Sequence, residues 1–336
     1  PFYVWDFEEE YKKQVVDYMV SGYRKGITPN PDVMCNREIK FGLFLNKALK
    51  MGADFVATGH YVRKRDSKLR IHANLRKKIF VDSDKFVVSH RLFQAKDKNK
   101  DQSYFLWTLT QEQLKHCLFP IGNYLKPEVR VIAKKAGLAT AAKKDSQGIC
   151  FLGKVKLGDF LEHYIPEKQG SVLSLKGEEI GEHKGSYFYT IGQRHGLALG
   201  GHRQAGGLKE TKPFYVADKN VKRNIITVAE GEDNPALYKK EIKLNNVNFI
   251  DNNFYSNVLK NIRIAGNKIK VLARVRYRQP LILAILELTS LQDVKLIFDK
   301  PVKFVAPGQS AVFYRARRSF GEGEYEMLGG GVIKKA

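Results

Sequence analysis

The chain has little cysteine and no long apolar run. Three cysteines among 336 residues cannot build the disulfide framework of a secreted domain, which favours a reducing compartment. No apolar stretch reaches the roughly eighteen residues that a membrane-spanning helix needs, and no charged-then-apolar leader opens the chain. We therefore predict a cytoplasmic protein with no membrane partner.

Common site motifs are missing as well. There is no CxxC pair and no Cys/His cluster with ligand spacing, so we predict no tightly bound metal. The chain contains neither GxxxxGK[ST] nor GxGxxG, the loops with which many nucleotide-binding proteins hold phosphates.

Acidic residues are scarce relative to basic ones. There are 58 Lys and Arg against 35 Asp and Glu, a net charge of +23 that is spread over the whole length. A solvated lysine surface could account for part of this charge. Folded domains this basic favour a phosphate-rich partner, since binding releases condensed counterions. Nucleic acid is the partner that the charge predicts, ahead of an anionic membrane surface.

The order of patterns predicts several domains. The chain is too long for one domain of ordinary size, and up to about residue 152 helical and strand patterns alternate, which is typical of an α/β fold. Glycines and short alternating runs follow, and from about residue 240 strand follows strand, as in a small barrel. We predict domains at 1–152, 153–235 and 236–336.

Local patterns place the elements of the first domain. Apolar spacing predicts helices over 7–25 and 39–51, separated by a loop at 28–32 that two prolines make rigid. An apolar strand at 54–58 is followed directly by Gly59 and His60, at the end where open α/β sheets bind ligands. Residues 62–98 alternate basic and apolar positions and predict a hairpin or a basic excursion.

Two of the cysteines lie among polar turn residues. Cys35 follows Asp32 by three positions in TPNPDVMCN, and Cys150 lies in DSQGICF. A thiol in such surroundings is placed for chemistry, whereas Cys117, among apolar residues, is interpreted as helix filler. Asp32 could cap a helix, act as a base or orient a reacting atom. A capped turn with an inert thiol is the alternative.

Three further patterns remain open. Arg274, Arg276 and Arg278 alternate along a predicted strand beside Tyr277, which suits either an RNA-contact edge or a solvated face. The loop at 192–196 could approach a phosphate backbone or simply form a turn. A cysteine hydrolase with His60 or His195 as base is also possible.

Eight motifs together resemble one family, the tRNA-specific 2-thiouridylases. They occur in the family's order and cover essentially the whole chain: TPNPDVMCNREIKFG (28–42), ATGHYVR (57–63), NKDQSYFL (99–106), DSQGICFLG (145–153), TIGQRHGLALGG (190–201), KPFYVADKNVKRN (212–224), RVRYRQP (274–280) and APGQSAVFY (306–314). The combination is specific although no single motif is.

The resemblance implies a fold and a reaction. The fold would be a PP-loop domain of the Rossmann-type, adenine nucleotide alpha hydrolase-like class, followed by a small central domain and a C-terminal β-barrel. The reaction would be ATP-dependent sulfur transfer to C2 of the wobble uridine of tRNA. By motif position Cys150 would carry a persulfide, and Cys35 would free the sulfur by forming a disulfide with Cys150.

The resemblance also implies binding residues and partners. Asn30, Pro31 and Asp32 would line the target-base pocket, and Asp32 could assist proton transfer. Gly59 would touch ATP, which brings Mg²⁺ with it. Partners would be wobble-uridine tRNAs (acceptors for Lys, Glu and Gln) and a persulfide donor such as a cysteine desulfurase or relay protein. The other predicted tRNA contacts are His60, Lys100, Asp101, Gln102, Arg276, Tyr277 and Gln309.

Two stretches depart from the family pattern. Family members open with a strand and an SGGVDS PP-loop, and this chain begins after that point. We therefore expect an incomplete nucleotide-binding domain that does not adenylate by itself, and a non-catalytic tRNA-binding module is the alternative function. Residues 71–96 look longer than the usual hairpin, and a solvated insertion is slightly favoured there over extra tRNA contacts.

Overall fold

A computed structural model describes residues 1–70, 86–143, 157–199, 212–251, 267–288, 294–315 and 324–335. Its strands form three sheets: a two-stranded parallel pair, a five-stranded sheet and an eight-stranded sheet. In the part of the chain described, no helix is both long enough and apolar enough to cross a membrane.

Two helical stretches open the chain. The first comprises α1 (Glu8–Tyr11), a π-helical segment (Lys12–Val16) and α2 (Asp17–Arg24), which confirms the helix predicted over 7–25. The second comprises α3 (Pro31–Met34), a π-helical segment (Cys35–Phe44) and α4 (Leu45–Lys50). It begins eight residues before the predicted start at 39, because Asn30 and Pro31 form a helix start that apolar spacing does not reveal.

A short parallel sheet follows. Strand β1 (Val56–Ala57) lies beside β4 (Cys117–Leu118), with Val56 opposite Cys117. The interpretation of Cys117 as helix filler was wrong, since α5 (Gln111–Lys115) ends before it. The thiol is nevertheless inert, because it donates to the Gln113 carbonyl at 3.0 Å and burial raises its pKa to about 12.

Between these parallel strands the chain forms the predicted hairpin. Strands β2 (Val62–Arg70) and β3 (Phe86–Gln94) pair antiparallel, and the register runs from Val62 opposite Gln94 to Arg70 opposite Phe86. Of the stretch predicted to be a solvated insertion, 71–85 lies outside the described residues. A 3₁₀ turn (Ser103–Phe105) follows β3.

The middle of the chain holds the five-stranded sheet. After α6 (Lys126–Lys135) and α7 (Leu157–Glu162), the sheet is built from β5 (Gly170–Leu173), β6 (Glu179–His183), β7 (Ala198–Leu199), β8 (Phe214–Asn220) and β9 (Ile225–Glu230). Its order is β7-β6-β5-β9-β8. One of the short alternating runs, residues 187–191, predicts a strand from its sequence pattern, but these residues begin within a 3₁₀ turn (Ser186–Phe188) and continue as a loop.

The last third of the chain is a closed barrel. Six strands form it in the order β10-β13-β12-β11-β14-β15, and β15 pairs back to β10. They are β10 (Tyr238–Phe249), β11 (Asn267–Arg274), β12 (Ile282–Leu288), β13 (Val294–Lys303), β14 (Ser310–Arg315) and β15 (Glu326–Ile333). The parallel pair with its helices and this barrel confirm the predicted fold class.

The first region is joined to the barrel at two levels. Strand β3 extends the barrel sheet by pairing with β15, where Phe93 lies opposite Glu326. Beneath this pairing, one apolar cluster mixes residues of both regions around Trp107 and Tyr314. The Trp107 indole donates to Ser310 Oγ at 2.9 Å. The first region therefore packs directly against the barrel.

Gly330 makes this packing possible, since a Cβ there would lie 2.7 Å from the Trp107 ring and 3.0 Å from the Ala311 oxygen. We expect Gly330→Ala to lower the free energy of unfolding by about 1–3 kcal/mol through overpacking. Gly158→Ala is the control, since its Cβ would meet nothing within 4 Å in α7 and should be neutral or stabilising. Urea denaturation measures both, and equal midpoints for the two variants would contradict the packing.

Candidate active site

The turn that leads into α3 is built by Asn30 and Pro31. Asn30 Oδ1 accepts a hydrogen bond from the Val33 amide at 3.3 Å, and Pro31 occupies the first helical position. Asn30 is thus the N-cap, and the suggestion that Asp32 caps the helix was wrong. Asp32 lies in the first turn, where its charge is favourable. Its side chain is therefore not needed as the cap.

The Asp32 carboxylate has an unused oxygen. Oδ1 is buried, and within the described residues it has no hydrogen-bond partner. A buried carboxylate oxygen without a partner is costly and needs a functional or structural explanation. An arriving substrate with a hydrogen-bond donor would supply the missing partner. The predicted role of Asp32 at the target base stays a prediction that this feature supports.

Of the two predicted catalytic thiols, only Cys35 lies within the described residues. Cys35 is fully buried and lies in an apolar cluster with Val15, Met19 and Ile39. Because a thiol must meet its partner to react, side chains that cover Cys35 have to move before it can form a disulfide. Cys150 lies outside the described residues. The predicted pairing of the two therefore remains a prediction.

A cavity lies between α3 and the barrel, and its volume is about 230 Å³. Asn30 belongs to its lining, and Thr108 adds a buried hydroxyl without a hydrogen-bond partner among the described residues. The other lining residues are Tyr18, Val33, Met34, Arg37, Trp107, Asn246, Gly308, Ser310 and Val332. Neither Asp32 nor Cys35 lines it.

Gly59 and His60 follow β1 as predicted, but their environments differ. Gly59 is exposed, and a Cβ there would meet nothing within 4 Å. His60 is buried beside Phe41 and Phe119, and its Nδ1 lies 2.8 Å from the Thr58 hydroxyl. Burial, reinforced by Lys40, lowers the pKa of His60 to about 3. His60 is thus neutral at neutral pH, and its predicted contact with tRNA stays untested.

Asp101 is the centre of a buried polar network. The carboxylate is 1% exposed and accepts hydrogen bonds from five groups: the Gln94 amide, the Ala95 and Ser103 backbone, the Ser103 hydroxyl and Arg274. Both carboxylate oxygens of Asp101 therefore already accept hydrogen bonds from other groups of the protein. Its neighbour Gln102 accepts from the Tyr61 amide at 3.0 Å, and Lys100 is half-buried. The predicted tRNA contacts of these three residues stay predictions.

The predicted row of arginines does not exist. Strand β11 ends at Arg274, which is buried against Asp101 at 2.7 Å. Arg276 donates to the Ile191 carbonyl in the middle region. Arg278 adopts a left-handed conformation with φ 65° and lies 5.2 Å from the centre of the Tyr277 ring. A chain reversal at the strand end thus gives the three side chains different environments.

Tyr277 and Gln309, the remaining predicted tRNA contacts, both touch the first region. The Tyr277 ring packs on Phe105 with centroids 4.6 Å apart. The Gln309 amide donates to the Thr28 carbonyl at 2.9 Å. Thr28 also meets the Thr190 hydroxyl at 3.2 Å. Local sequence patterns predicted no role for Thr28 or Thr190 and no pairing of Asp101 with Arg274. Their positions within the quoted motifs were the only available signal.

Three family models match consecutive parts of the chain. A tRNA methyl transferase HUP domain matches residues 1–154, a tRNA methyl transferase PRC-barrel domain matches 158–230, and an aminomethyltransferase beta-barrel domain matches 239–333. An α/β region, a small sheet domain and a barrel in this order define a multidomain protein of the tRNA-modifying class.

Curated relatives narrow this class. The chain is 41% identical over 333 residues to the tRNA-specific 2-thiouridylase MnmA of Bacillus licheniformis, covering 99% of this chain and 78% of the relative. The proteins of the same name from Bacillus cereus and Bacillus thuringiensis are 40% identical with the same coverage. This chain belongs to the tRNA-specific 2-thiouridylase family, which confirms the resemblance inferred from its motifs.

The buried ion pair yields a stability prediction. Asp101→Asn keeps the size of the side chain but leaves the Arg274 charge buried without a counter-charge, and breaking such pairs costs about 3–5 kcal/mol. Guanidinium denaturation should show a midpoint far below that of the wild type. Glu128→Gln is the control, because it removes an exposed pair with Lys96 and should leave the midpoint unchanged. A wild-type midpoint for Asp101→Asn would contradict the account.

The buried His60 yields a pH prediction. An unfolded histidine binds a proton near pH 6.5, whereas the folded pKa is about 3. As pH falls through that window the unfolded state gains a proton, so the free energy of unfolding drops by up to about 1.4 kcal/mol per pH unit. His60→Gln removes this loss. The stability of the variant relative to wild type should therefore rise as the pH falls from about 6.5 to about 4. If urea denaturation shows the same dependence of unfolding free energy on pH for wild type and His60→Gln, the claim that His60 is neutral when folded would be refuted.

Proposed function

We propose that this chain transfers sulfur to C2 of the wobble uridine of tRNA in an ATP-dependent reaction. The observation that carries the proposal is the 41% identity to a tRNA-specific 2-thiouridylase across 99% of the chain. Family membership makes the motif-based roles applicable here. The turn with Asn30, Pro31 and Asp32 lies next to Thr28, which contacts both the middle region and the barrel, and this position supports the turn as the proposed site of the reaction.

The net charge and the residues of the turn support a folded RNA as the substrate. A net charge of +23 gives a favourable interaction with phosphates that salt weakens. Enzymes that modify a base must take it out of its stack into a pocket. The free Oδ1 of Asp32 and the N-cap Asn30 are suited to line such a pocket. We propose tRNAs with a wobble uridine, the acceptors for Lys, Glu and Gln, as substrates.

The edge at Gly59 fits part of a nucleotide site. Gly59 follows a strand of a parallel sheet, at the end where α/β proteins bind ligands, and the space next to it is open. Residues at this edge would hold ATP through close approach of the backbone. ATP, together with Mg²⁺, would supply the activation that turns the uracil C2 oxygen into a leaving group.

The protein's own residues would supply the sulfur chemistry. Cys150 would receive sulfur as a persulfide from a donor such as a cysteine desulfurase or a relay protein. After sulfur joins C2, the Cys35 thiolate would attack the Cys150 sulfur and release the thiolated base. The resulting Cys35–Cys150 disulfide must be reduced by an external thiol before another turnover. Asp32 would hold or move a proton at the base.

One observation favours a second candidate, a non-catalytic tRNA-binding module. The Cys35 thiol is fully buried in an apolar cluster, and a buried thiol is normally inert. On this reading the motifs persist because they dock tRNA. The two candidates share tRNA binding and differ in whether sulfur is transferred.

The assay that separates them uses the complete protein with tRNA, ATP, magnesium and a persulfide donor. We expect a uridine in which sulfur replaces oxygen, detected by mass spectrometry of digested tRNA. Cys35→Ser and Cys150→Ser should each abolish the product and leave the Kd for tRNA within about twofold, because neither thiol binds the phosphate backbone.

Cys117→Ser is the matched control, since its side chain can still donate to the Gln113 carbonyl and should retain activity. Thiolation that survives replacement of both Cys35 and Cys150 would refute their roles. Binding of tRNA without any modified uridine would favour the non-catalytic module. A methylated rather than thiolated product would refute the proposed reaction itself.

A further inference from the structure

Thr28 is held from two other parts of the molecule. Its amide donates to the Pro307 carbonyl at 2.8 Å, and its own carbonyl accepts from the Gln309 amide at 2.9 Å. From the middle region, the Thr190 hydroxyl lies 3.2 Å from the Thr28 hydroxyl. Thr28 itself is buried. One residue of the first region is thus fixed by the barrel and by the middle region together.

The groups that hold Thr28 are themselves fixed. The backbone N–H of Gln309 donates to the Ala306 carbonyl, and the backbone carbonyl of Gln309 accepts from the Ile333 N–H in β15. The Thr190 amide donates to the Gln193 side chain at 3.1 Å, and the Thr190 hydroxyl also bonds to buried Tyr23. Because both partners are anchored, the position of Thr28 follows the position of the barrel and of the middle region.

The chain between Thr28 and Asp32 is stiff. Pro29 and Pro31 have fixed φ angles and restrict the residue before each of them. A Cβ on Gly22 would lie 2.7 Å from the Pro29 ring, so α2 packs closely on that proline. If the Thr28 carbonyl moves, Asn30 and Asp32 therefore move with it, because the backbone between Thr28 and Asp32 cannot easily change its conformation.

The side-chain nitrogen of Gln309 makes its contacts within the protein. Its amide already donates to Thr28, with a longer approach to the Pro29 carbonyl at 3.4 Å. A residue that contacts RNA contributes to affinity. A residue that holds the turn contributes to the rate of the chemical step and leaves affinity unchanged.

We propose that Gln309 and Thr190 are positioning residues that clamp Thr28, so that the barrel and the middle region together set the placement of Asn30 and Asp32 at the target uridine. This inference rests on the proposed function and assigns the placement of the turn to two residues outside the first region. Neither side chain needs to touch the reacting atoms.

The test uses Gln309→Met and Thr190→Val, which preserve size and charge and remove the hydrogen bonds to Thr28. We expect kcat for tRNA thiolation to fall about 10- to 100-fold, since small displacements of reacting groups cost this much. The Kd for tRNA should stay within about twofold of wild type. Thr190→Ser keeps the hydroxyl and should restore most of kcat.

Two matched controls use the same substitutions elsewhere. Gln279 donates its amide to the Lys303 carbonyl at 3.2 Å within the barrel, so Gln279→Met removes a similar bond without touching Thr28. Thr140 is exposed, so Thr140→Val tests the loss of a hydroxyl. Both controls should keep wild-type kcat. The double variant Gln309→Met/Thr190→Val should lose less than the product of the single losses, because both act through Thr28.

Hydrogen exchange of the peptide that covers residues 28–34 supplies a readout independent of activity. It should be faster in Gln309→Met and Thr190→Val and unchanged in the controls. Weaker tRNA binding with unchanged kcat would overturn the proposal in favour of direct RNA contact, and so would unchanged exchange in both variants. A wild-type protein without thiolation would refute the proposed function, and the exchange data would still decide whether the clamp exists.

Discussion

The charge pair between Asp101 and Arg274 is the interaction on which the arrangement of the first region and the barrel depends. Both side chains are almost fully buried, 1% and 5% exposed, and a buried pair depends on further hydrogen bonds to its polar atoms. Here Gln94 and Ser103 donate to the carboxylate and Arg274 donates to Tyr314, while Arg274 Nε has no partner among the described residues. Since these residues come from β3, the following turn and two barrel strands, the pair fixes how the regions are joined.

Further contacts between the first region and the barrel hold the candidate site. Trp107 is held on Ser310, the barrel loop at Gln309 reaches Thr28, and the turn through Asn30 is stabilised from outside its own region. The orphaned Oδ1 of Asp32 lies in a segment that other contacts fix in place. A site of this kind can keep a carboxylate without a partner because the surrounding structure prevents its relaxation.

Strong local signals made much of the fold predictable. The helix predicted over 7–25 and the hairpin predicted within 62–98 lie where the local patterns placed them. The pairing of β3 with β15 was not predictable, because it joins residues 93 and 326 and no local pattern encodes a contact between distant segments. The strand predicted over 187–191 failed for a related reason, since tertiary contacts of Thr190 and Ile191 hold that stretch as a loop.

The candidate site was predictable in composition but not in geometry. Motifs singled out Asp32, Cys35 and Gln309, and the structure adds that the first has a free oxygen, the second is buried and the third holds Thr28. Proximity of distant residues arises from packing, which is why Arg274, expected beside Arg276 on one face, is paired with Asp101 instead.

The central claim is that the turn from Thr28 to Cys35 receives the target uridine. Photocrosslinking the complete protein to a tRNA with a photoreactive uridine at the wobble position tests it most directly. The account predicts that mass spectrometry locates the crosslink in the peptide that contains residues 28–35. A crosslink found only in other parts of the chain, with tRNA bound at the same affinity, would contradict it.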